Sequence, residues 1–335
     1  MKKTLIAMAI LASSGAAMAQ SNVSLYGIVD LGFNSSNKTV SGDRQTGIDS
    51  GLQSGSRFGL KGTEDLGNGL KANFVLEQGF NADNGSESFA GSAFGRQAWL
   101  GLSGGFGEVR LGRQYSPMRD ALEAIDPFRL GLAGAADNVW SDGLVVQRLN
   151  DSISYATPSF SGFNAVAAYS FGEQEGSTSN GAVWSLGAGY DQGPLSLKAV
   201  YQNANLDTVG VNNGDIKEYL LAGTYDFGVA KAHAAFGERK YEVAPGNMKT
   251  RNYMVGVSAP VGAAGSVMAS YIVNENRTFN DADSKQFALG YQYDLSKRTN
   301  VYASYAYNKQ EANIVLPSFG RESANTYNVG LRHKF

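Results

Sequence analysis

Polar and apolar residues alternate with a period of two along most of the chain. The alternation is clear at 24–34, 70–77, 219–226 and 301–308, where apolar residues occupy one parity and polar residues the other. This period places successive side chains on opposite faces of a β-strand. Apart from a short stretch near 119–124, no comparably long segment has the 3.6-residue period of a helix. The pattern therefore predicts many strands, each with one apolar and one polar face.

Short and long connectors alternate between these predicted strands. Tight turns are expected at 66–69, 104–107, 158–162, 191–194, 226–228, 260–265 and 294–298. Longer polar loops are expected at 35–55, 81–91, 115–149, 173–181, 205–215, 243–249, 276–284 and 309–324. Seven turns and eight loops join sixteen strands. An even strand number, with short turns at one rim and long loops at the other, is typical of a bacterial outer-membrane barrel.

The predicted fold class is all-β, a transmembrane 16-stranded antiparallel barrel. In hydrocarbon an unpaired backbone N–H or C=O costs several kcal/mol, so a spanning sheet has to close on itself. A ring of about sixteen strands is too wide for side chains to fill, which leaves an aqueous channel. A soluble β-sandwich is the alternative, but it would bury the apolar parity and use strands nearer to about 5 or 6 residues.

The first residues have the pattern of an export signal. Lys2 and Lys3 precede an apolar run at 5–12, and small residues follow as far as Ala19. The run is too short for a spanning helix. We expect cleavage after Ala19, so that 1–19 is a signal peptide and 20–335 is the mature barrel.

Composition excludes several classes of protein. Without the signal, 26 Lys and Arg face 30 Asp and Glu, a formal charge of −4, whereas a nucleic-acid binder would be basic. No cysteine is present, so disulfides cannot hold this exported fold together. The 17 Tyr and 17 Phe cluster at predicted strand ends, as in the two aromatic girdles of a membrane barrel.

Catalytic and cofactor signatures are also missing from the sequence. The two histidines, His233 and His333, accompany no G-x-S-x-G motif, and the glycine-rich stretches lack the Lys-Ser/Thr of a phosphate-binding loop. Asp281 and Asp283 do not have the spacing of a calcium-binding loop. We therefore predict no enzymatic activity, no cofactor and no metal site.

The last strand, 325–335, alternates and ends on Phe335, which resembles the signal read by the outer-membrane assembly machinery. The mature chain as a whole resembles the general-diffusion porins of β-proteobacteria, the Neisseria and Bordetella type. The segments that carry this resemblance are SLYGIVDLG, SRFGLKGTEDLGNGLKANFVLEQGF, RQAWLGLSGGFGEVRLGRQYSP, NDSISYATPSFSGF and GLRHKF. His333 departs from the terminal signal, in which an aromatic residue is more usual.

The resemblance implies a homotrimer of barrels in the outer membrane, each with its own pore narrowed by the third long loop, here 115–149. Its partners would be outer-membrane lipid and lipopolysaccharide, the assembly machinery, and small hydrophilic solutes and ions. Nucleic acid is not expected as a partner.

The resemblance also implies a constriction in which acids on the inward loop face arginines on the wall. Alternation independently turns Arg57, Lys61, Arg110 and Arg148 toward the lumen. Both parities are apolar around Arg96, and there the family pattern favours Arg96 inside and Trp99 outside. The loop offers five acids, of which those in or next to DALEAIDPF are the leading candidates: Asp120, Glu123 and Asp126, followed by Asp137 and Asp142.

Three functions are compatible with such a barrel. A general-diffusion porin is favoured, because most strand aromatics take the lipid parity, whereas a substrate-specific sugar channel usually has an aromatic track in its lumen. An adhesin or hydrolase is the third class. An adhesin would more often have a smaller, filled barrel than one of sixteen strands. The wall arginines suggest a mild preference for anions, which the overall negative charge and the loop acids oppose.

Overall fold

The computed structural model describes residues 22–37, 43–140, 146–243, 246–279, 282–310 and 323–335; the predicted signal peptide lies outside them. The helices are α1 (Pro117–Ile125) and a single 3-10 turn (Ala136–Asn138). The strands are β1 (Asn22–Ser36), β2 (Gln45–Ser50), β3 (Arg57–Gly67), β4 (Leu70–Gly79), β5 (Gln97–Gly104), β6 (Gly107–Tyr115), β7 (Arg148–Ala156), β8 (Phe163–Ser170), β9 (Val183–Gln192), β10 (Leu195–Asn205), β11 (Asp215–Asp226), β12 (Lys231–Val243), β13 (Gly246–Val261), β14 (Gly265–Asn276), β15 (Ser284–Asp294), β16 (Thr299–Gln310) and β17 (Ser323–Lys334).

These strands form one antiparallel sheet with sixteen positions around a barrel. β2 and β3 share a position, because β1 pairs with β2 over Leu31–Ser36 and with β3 over Asn22–Ile28. β1 also pairs with β17, and the backbones of Gly27 and Phe335 exchange two hydrogen bonds of 3.0 Å. The sheet therefore closes on itself, and the predicted sixteen-stranded barrel is confirmed.

Two connections are shorter than the sequence predicts. β2 lies within the expected loop 35–55, and β13 begins at Gly246, within the expected loop 243–249. Both segments are polar, and a polar composition by itself predicts a loop. A strand that continues beyond the apolar band still gains its ladder of hydrogen bonds, whatever its side chains. Residues 311–322 of the last predicted loop lie outside the described part of the chain.

The two faces of the barrel are reversed relative to a soluble protein. Asn252, Gln286 and Asn308 are at most 3% exposed inside, whereas Leu25 and Leu100 are at least 60% exposed outside. Paired aromatic rings lie on the outer surface near both rims, for example Phe163–Tyr190 at 4.5 Å, Tyr201–Tyr219 at 4.7 Å and Tyr225–Phe227 at 4.7 Å. An apolar exterior flanked by aromatic girdles is the surface that a bilayer requires.

No helix in the described ranges is long and apolar enough to cross a membrane.

Candidate pore constriction

Residues 116–140, which follow β6, lie inside the barrel, whereas the candidate acid Asp142 lies outside the described residues. α1 begins after Ser116, whose Oγ accepts a hydrogen bond from the Arg119 N–H, and Pro117 occupies the first turn. The apolar side chains of this segment pack against apolar side chains that β10–β14 direct into the lumen. The loop side contributes Met118, Ala121, Leu122, Ile125, Ala136, Val139 and Trp140, and the wall side contributes Val200, Leu220, Ala222, Ala235, Met254 and Ile272.

Polar wall side chains fix the backbone of the same loop. His233 Nδ1 lies 2.6 Å from the Ile125 carbonyl oxygen, and the Asn274 side chain donates to the Val139 carbonyl at 3.0 Å. Gln286 Nε2 donates to two further loop carbonyls, at 3.0 and 3.2 Å. Gly290 leaves room for the ring of Phe128, because a Cβ at this glycine would lie 2.7 Å from the ring. The third loop is thus attached to one side of the lumen.

Asp126 does not line the channel, contrary to the prediction. Its carboxylate is 1% exposed and accepts hydrogen bonds from the N–H groups of Phe128, Leu130 and Ala136, at 2.9 to 3.0 Å. Burial raises the pKa of Asp126 to about 6, while these three donors favour the ionised form. The acid holds the turn that follows α1, which a sequence motif alone does not distinguish from a pore-facing acid.

Arginines converge on Tyr115, at the end of β6. Arg96 and Arg148 both donate to the Tyr115 hydroxyl, at 2.6 and 3.3 Å. The guanidinium carbons of Arg119 and Arg148 lie 4.0 and 4.7 Å from the centre of its ring. Hydrogen-bond acceptance by the oxygen and cation–π contact with the ring both offset the mutual repulsion of the three cations. Sequence reasoning identified Arg96 and Arg148 but missed Tyr115 and Arg119.

Glu77 is the main acid on the wall, and sequence reasoning did not select it. Its carboxylate lies 2.8 Å from Arg96 Nε and 3.9 Å from Arg57 Nη1, and it accepts a hydrogen bond of 2.9 Å from the Tyr26 hydroxyl. The signal was available, since Glu77 shares the lumen parity of Lys71 and Asn73 in β4. The acids opposite the arginines therefore come partly from the wall itself.

The other two leading loop acids, Asp120 and Glu123, pair with Arg119 of their own helix. Glu123 forms an i,i+4 ion pair with Arg119, and Asp120 Oδ1 lies 3.1 Å from Arg119 Nη1. Asp120 is the more accessible, with 58% of its side chain exposed. The polar side of α1 thus presents a cation and two acids toward the lumen, whereas the sequence suggested acids alone.

Arg110 and Lys61 form a second basic group on the lumen wall. Arg110 Nη2 lies 2.6 Å from Glu108 Oε2, and its guanidinium carbon lies 4.3 Å from the centre of the Trp99 ring. Lys61 Nζ lies 5.1 Å from the centre of the Tyr26 ring. Trp99 is 9% exposed and faces the lumen, so the expectation that it points outward is wrong. Its indole N–H donates to Gln97, and this polar contact explains its inward position.

The charges of this region are unevenly compensated. Arg96 and Arg57 face Glu77, Arg110 faces Glu108, and Arg119 faces the helix acids. In the described part of the chain no carboxylate lies within 4 Å of the Arg148 guanidinium, whose contacts are Tyr115, the Arg96 carbonyl and the Phe89 ring. Among the predicted wall cations, Arg148 and Lys61 therefore have no carboxylate within 4 Å in the described part of the chain, and Arg148 is the arginine of this pair.

Replacing Glu77 by glutamine should increase the net positive charge of this wall. We expect a higher anion-to-cation permeability ratio and a lower unfolding temperature, because Arg96 would lose its only carboxylate within ion-pair distance among the described residues. Reversal potentials and thermal melts of the purified protein measure the two effects. Glu108→Gln is the matched control, since its ion pair with Arg110 is more exposed and its loss should affect the melt less. An unchanged reversal potential for Glu77→Gln would contradict the prediction.

Comparisons with known proteins agree with this geometry. The sequence pattern of the Gram-negative porin family matches residues 4–313. Outer membrane porin protein 32 of Delftia acidovorans is 40% identical and an outer membrane porin protein of Bordetella pertussis is 36% identical, each over the whole of both chains. The solved structure of an anion-selective porin from Comamonas acidovorans has a TM-score of 0.83 at 36% identity, and the match covers 94% of this chain and 100% of the Comamonas chain.

The sequence matches the Delftia and Bordetella porins over its whole length, and the closed barrel matches the Comamonas structure over 94% of the chain. This chain belongs to the Gram-negative porin family, and it forms a water-filled channel across the outer membrane through which small hydrophilic solutes and ions diffuse.

Proposed function

We propose that the channel prefers anions, and that Arg148 contributes most to this preference. The observation that carries the proposal is the absence of a carboxylate near Arg148 in the described part of the chain, next to arginines whose charges are compensated. Arginine stays protonated at any working pH, so the preference should persist across neutral and mildly acidic solutions. The similar Comamonas protein is described as anion-selective.

The constriction in this proposal consists of the wall cations Arg57, Lys61, Arg96, Arg110 and Arg148 and the loop acids Asp120 and Glu123, to which the geometry adds Glu77, Arg119 and Tyr115. A reversal potential across a potassium chloride gradient tests it. A sign that indicates chloride preference supports the proposal, and a sign that indicates potassium preference rejects it.

General diffusion is favoured over a substrate-specific channel. Tyr26 and Tyr302, two of the described lumen aromatics, are held by protein groups, since Tyr26 donates to Glu77 and Tyr302 donates to Asp30 at 2.5 Å, so neither ring is free to form part of a track for a sugar. Channel current that rises in proportion to salt concentration supports general diffusion. Current that one solute blocks at low concentration would support the specific channel instead.

We also propose that the chain has no catalytic role. His233 Nε2 lies 2.9 Å from Ser258 Oγ, but its Nδ1 faces the backbone carbonyl of Ile125 and not a carboxylate. A serine nucleophile needs a histidine base, and a third group has to orient this base and stabilise the positive charge that it gains. A backbone carbonyl stabilises that charge poorly. This histidine positions the loop.

A homotrimer is proposed on the family resemblance, with outer-membrane lipid, lipopolysaccharide and the assembly machinery as partners. A trimer should run as a high-mass band on unheated electrophoresis and collapse to the monomer on boiling. A single monomer band in mild detergent before heating would argue against it.

Deleting Phe335 should reduce the amount of assembled barrel in the outer membrane severalfold. Phe335 closes the β1–β17 seam through its two hydrogen bonds to Gly27, and its ring lies over that glycine, where a Cβ would come within 2.2 Å of it. The fraction of heat-modifiable protein in membrane extracts measures assembly. Extending the chain with one alanine after Phe335 is the control for terminal position: it keeps the ring, and the seam bonds remain possible. Normal assembly of the deletion variant would reject the role of Phe335.

A further inference from the structure

A second segment of the chain contacts the third loop inside the barrel. Residues 51–56, here called the β2–β3 connector, join β2 to β3. The Leu132 N–H of the third loop donates to the Leu52 carbonyl oxygen of the connector at 2.5 Å. The Leu52 side chain packs against the buried cluster that contains Phe128, Leu132 and Tyr302. The far end of the third loop is therefore held by the connector as well as by the barrel wall.

Asp30, a lumen-facing residue of β1, holds the connector. Its Oδ2 accepts hydrogen bonds from the N–H groups of Gln53 and Ser54, at 2.7 and 2.5 Å. Its Oδ1 accepts a hydrogen bond of 2.5 Å from the Tyr302 hydroxyl. The residue is 0% exposed, so its carboxylate is not open to a passing solute. These contacts indicate that Asp30 positions the connector.

The other strands beside β1 hold the connector from the opposite side. The Gln53 side chain bonds to β15 and β16, and the Ser54 hydroxyl accepts a hydrogen bond from β17. The wall partners, at 2.6 to 2.8 Å, are Gln292, Asn300 and Arg332. Gly32 leaves room for Leu52, because a Cβ at this glycine would lie 2.8 Å from Leu52 Cδ1. The connector thus has fixed contacts to four strands.

The connector also reaches the arginines of the candidate constriction. A Cβ at Gly55 would lie 2.9 Å from Arg96 Nη1, and Arg57, the first residue of β3, follows the connector directly. The third loop therefore has two attachments at the level of these arginines. One is the apolar cluster that joins Leu122 to β10–β14, and the other is the contact of Leu132 with the connector.

We propose that the β2–β3 connector is a second constriction element, and that Asp30 is its positioning residue. Asp30 keeps Leu52 against Leu132, and this contact keeps the end of the third loop at a fixed distance from the wall. The diameter of a pore is one of the properties that set which solutes pass. Asp30 therefore influences the size limit of the channel without touching a solute.

Cysteine labelling tests the positioning role, since the chain contains no cysteine of its own. Leu132 is 7% exposed and Leu122 is 0% exposed. Leu132→Cys reports on the end of the third loop, and Leu122→Cys is the matched reporter for the attachment to β10–β14. The rate of modification by a neutral, water-soluble methanethiosulfonate is measured for each reporter in the purified, heat-modifiable, full-length protein.

Asp30→Ala should raise the modification rate of Leu132→Cys about tenfold, because two connector N–H groups lose their buried acceptor. The rate of Leu122→Cys should stay unchanged. Asp30→Asn should restore most of the protection, since its amide oxygen still accepts both N–H groups and the Tyr302 hydroxyl can accept from its amide nitrogen. Asn34→Ala is the matched control, because it removes another polar lumen side chain of β1 whose described hydrogen bonds lie outside the connector.

Gly131→Ala separates the two segments from the side of the loop. A Cβ at Gly131 would overlap the Gln53 carbonyl oxygen, so Leu132→Cys should become more accessible while Asp30 keeps its hydrogen bonds. This variant tests the contact even if Asp30→Ala does not assemble.

Uptake of neutral sugars into proteoliposomes tests the role in the size limit. Asp30→Ala should raise the uptake ratio of a disaccharide to a monosaccharide about twofold, because the detached connector leaves a wider lumen. Asn34→Ala should leave this ratio unchanged. Neutral sugars and a neutral reagent do not respond to the charge of the pore, so these results are independent of the proposed anion preference.

Three outcomes would overturn the proposal. Equal modification rates of Leu132→Cys in Asp30→Ala and Asn34→Ala would reject the positioning role of Asp30. An equal rise at Leu122→Cys would show that the whole loop detaches, which assigns Asp30 to general stability. An unchanged sugar ratio in a variant that exposes Leu132→Cys would reject the connector as a constriction element.

Discussion

Replacing Arg148 by glutamine should lower the anion-to-cation permeability ratio about fivefold, because a unit charge about 4 Å from a permeating ion is worth about 1 kcal/mol in bulk water. Glutamine keeps a donor toward the Tyr115 hydroxyl and removes only the charge. Since no carboxylate pairs with Arg148 in the described part of the chain, the substitution leaves no unpaired acid behind. Reversal potentials across a potassium chloride gradient measure the ratio.

Two further variants serve as controls for the effect of Arg148→Gln on the permeability ratio. Lys297→Gln removes the same charge from the β15–β16 turn and should leave the ratio unchanged. Tyr115→Phe keeps the ring but removes the oxygen that accepts from Arg96 and Arg148, and it should change the ratio less than Arg148→Gln does. If Arg148→Gln and Lys297→Gln gave the same ratio as the wild type, selectivity would have to arise elsewhere in the lumen.

The barrel was predictable because a membrane constrains the sequence so strongly. A strand that faces lipid on one side and water on the other must alternate, and the tight turns mark where the chain reverses. The same parity correctly placed Arg57, Lys61 and Arg110 on the lumen face, where their partners are Glu77, Tyr26 and Glu108. Position on a face follows from a period of two, and it needs no knowledge of neighbouring strands.

The constriction was only partly predictable, because its contacts are long-range. Glu77 and Arg96 are nineteen residues apart, and alternation does not show that they meet. The site of loop attachment was missed for a different reason. In β11 the otherwise alternating pattern is interrupted at Leu220 and Leu221, which face the loop and the exterior respectively, and this local break was the available signal for a wall covered by protein.

Asp126 illustrates how a correct location can lead to a wrong role. It lies on the inward loop, as the resemblance implies, yet its side chain turns back into the loop and not toward the lumen. An aspartate that accepts backbone N–H groups two and four residues later has the ordinary behaviour of its residue type at a turn. An aspartate can either hold a turn or line a pore, and the sequence is the same in both cases. The structure is needed to distinguish the two roles.

Replacing Asp126 by asparagine should allow the third loop to detach from the lumen wall for part of the time. The loop residues Arg129, Leu130 and Leu132 have φ values of 52°, 55° and 60°, a region that costs non-glycine residues of order 1–3 kcal/mol each. The carboxylate of Asp126 holds this turn through three N–H groups. An asparagine amide would point N–H donors at some of them, a loss of about 1–3 kcal/mol that raises the detached population about fivefold or more.

Single-channel recordings should therefore show greater open-channel noise for Asp126→Asn, with brief excursions to other conductance levels as the loop leaves the wall. The apolar cluster around Leu122 should still keep the loop attached for most of the time, so the main conductance level should remain near that of the wild type. Asp120→Asn is the matched control, because it removes an acid from the same loop. The Asp120 side chain is exposed and binds no loop backbone among the described contacts. The open-channel noise of this variant should therefore equal that of the wild type, while its selectivity moves toward anions. Equal open-channel noise in the two variants would show that the turn does not depend on Asp126. The apolar cluster around Leu122 alone would then hold the loop in place.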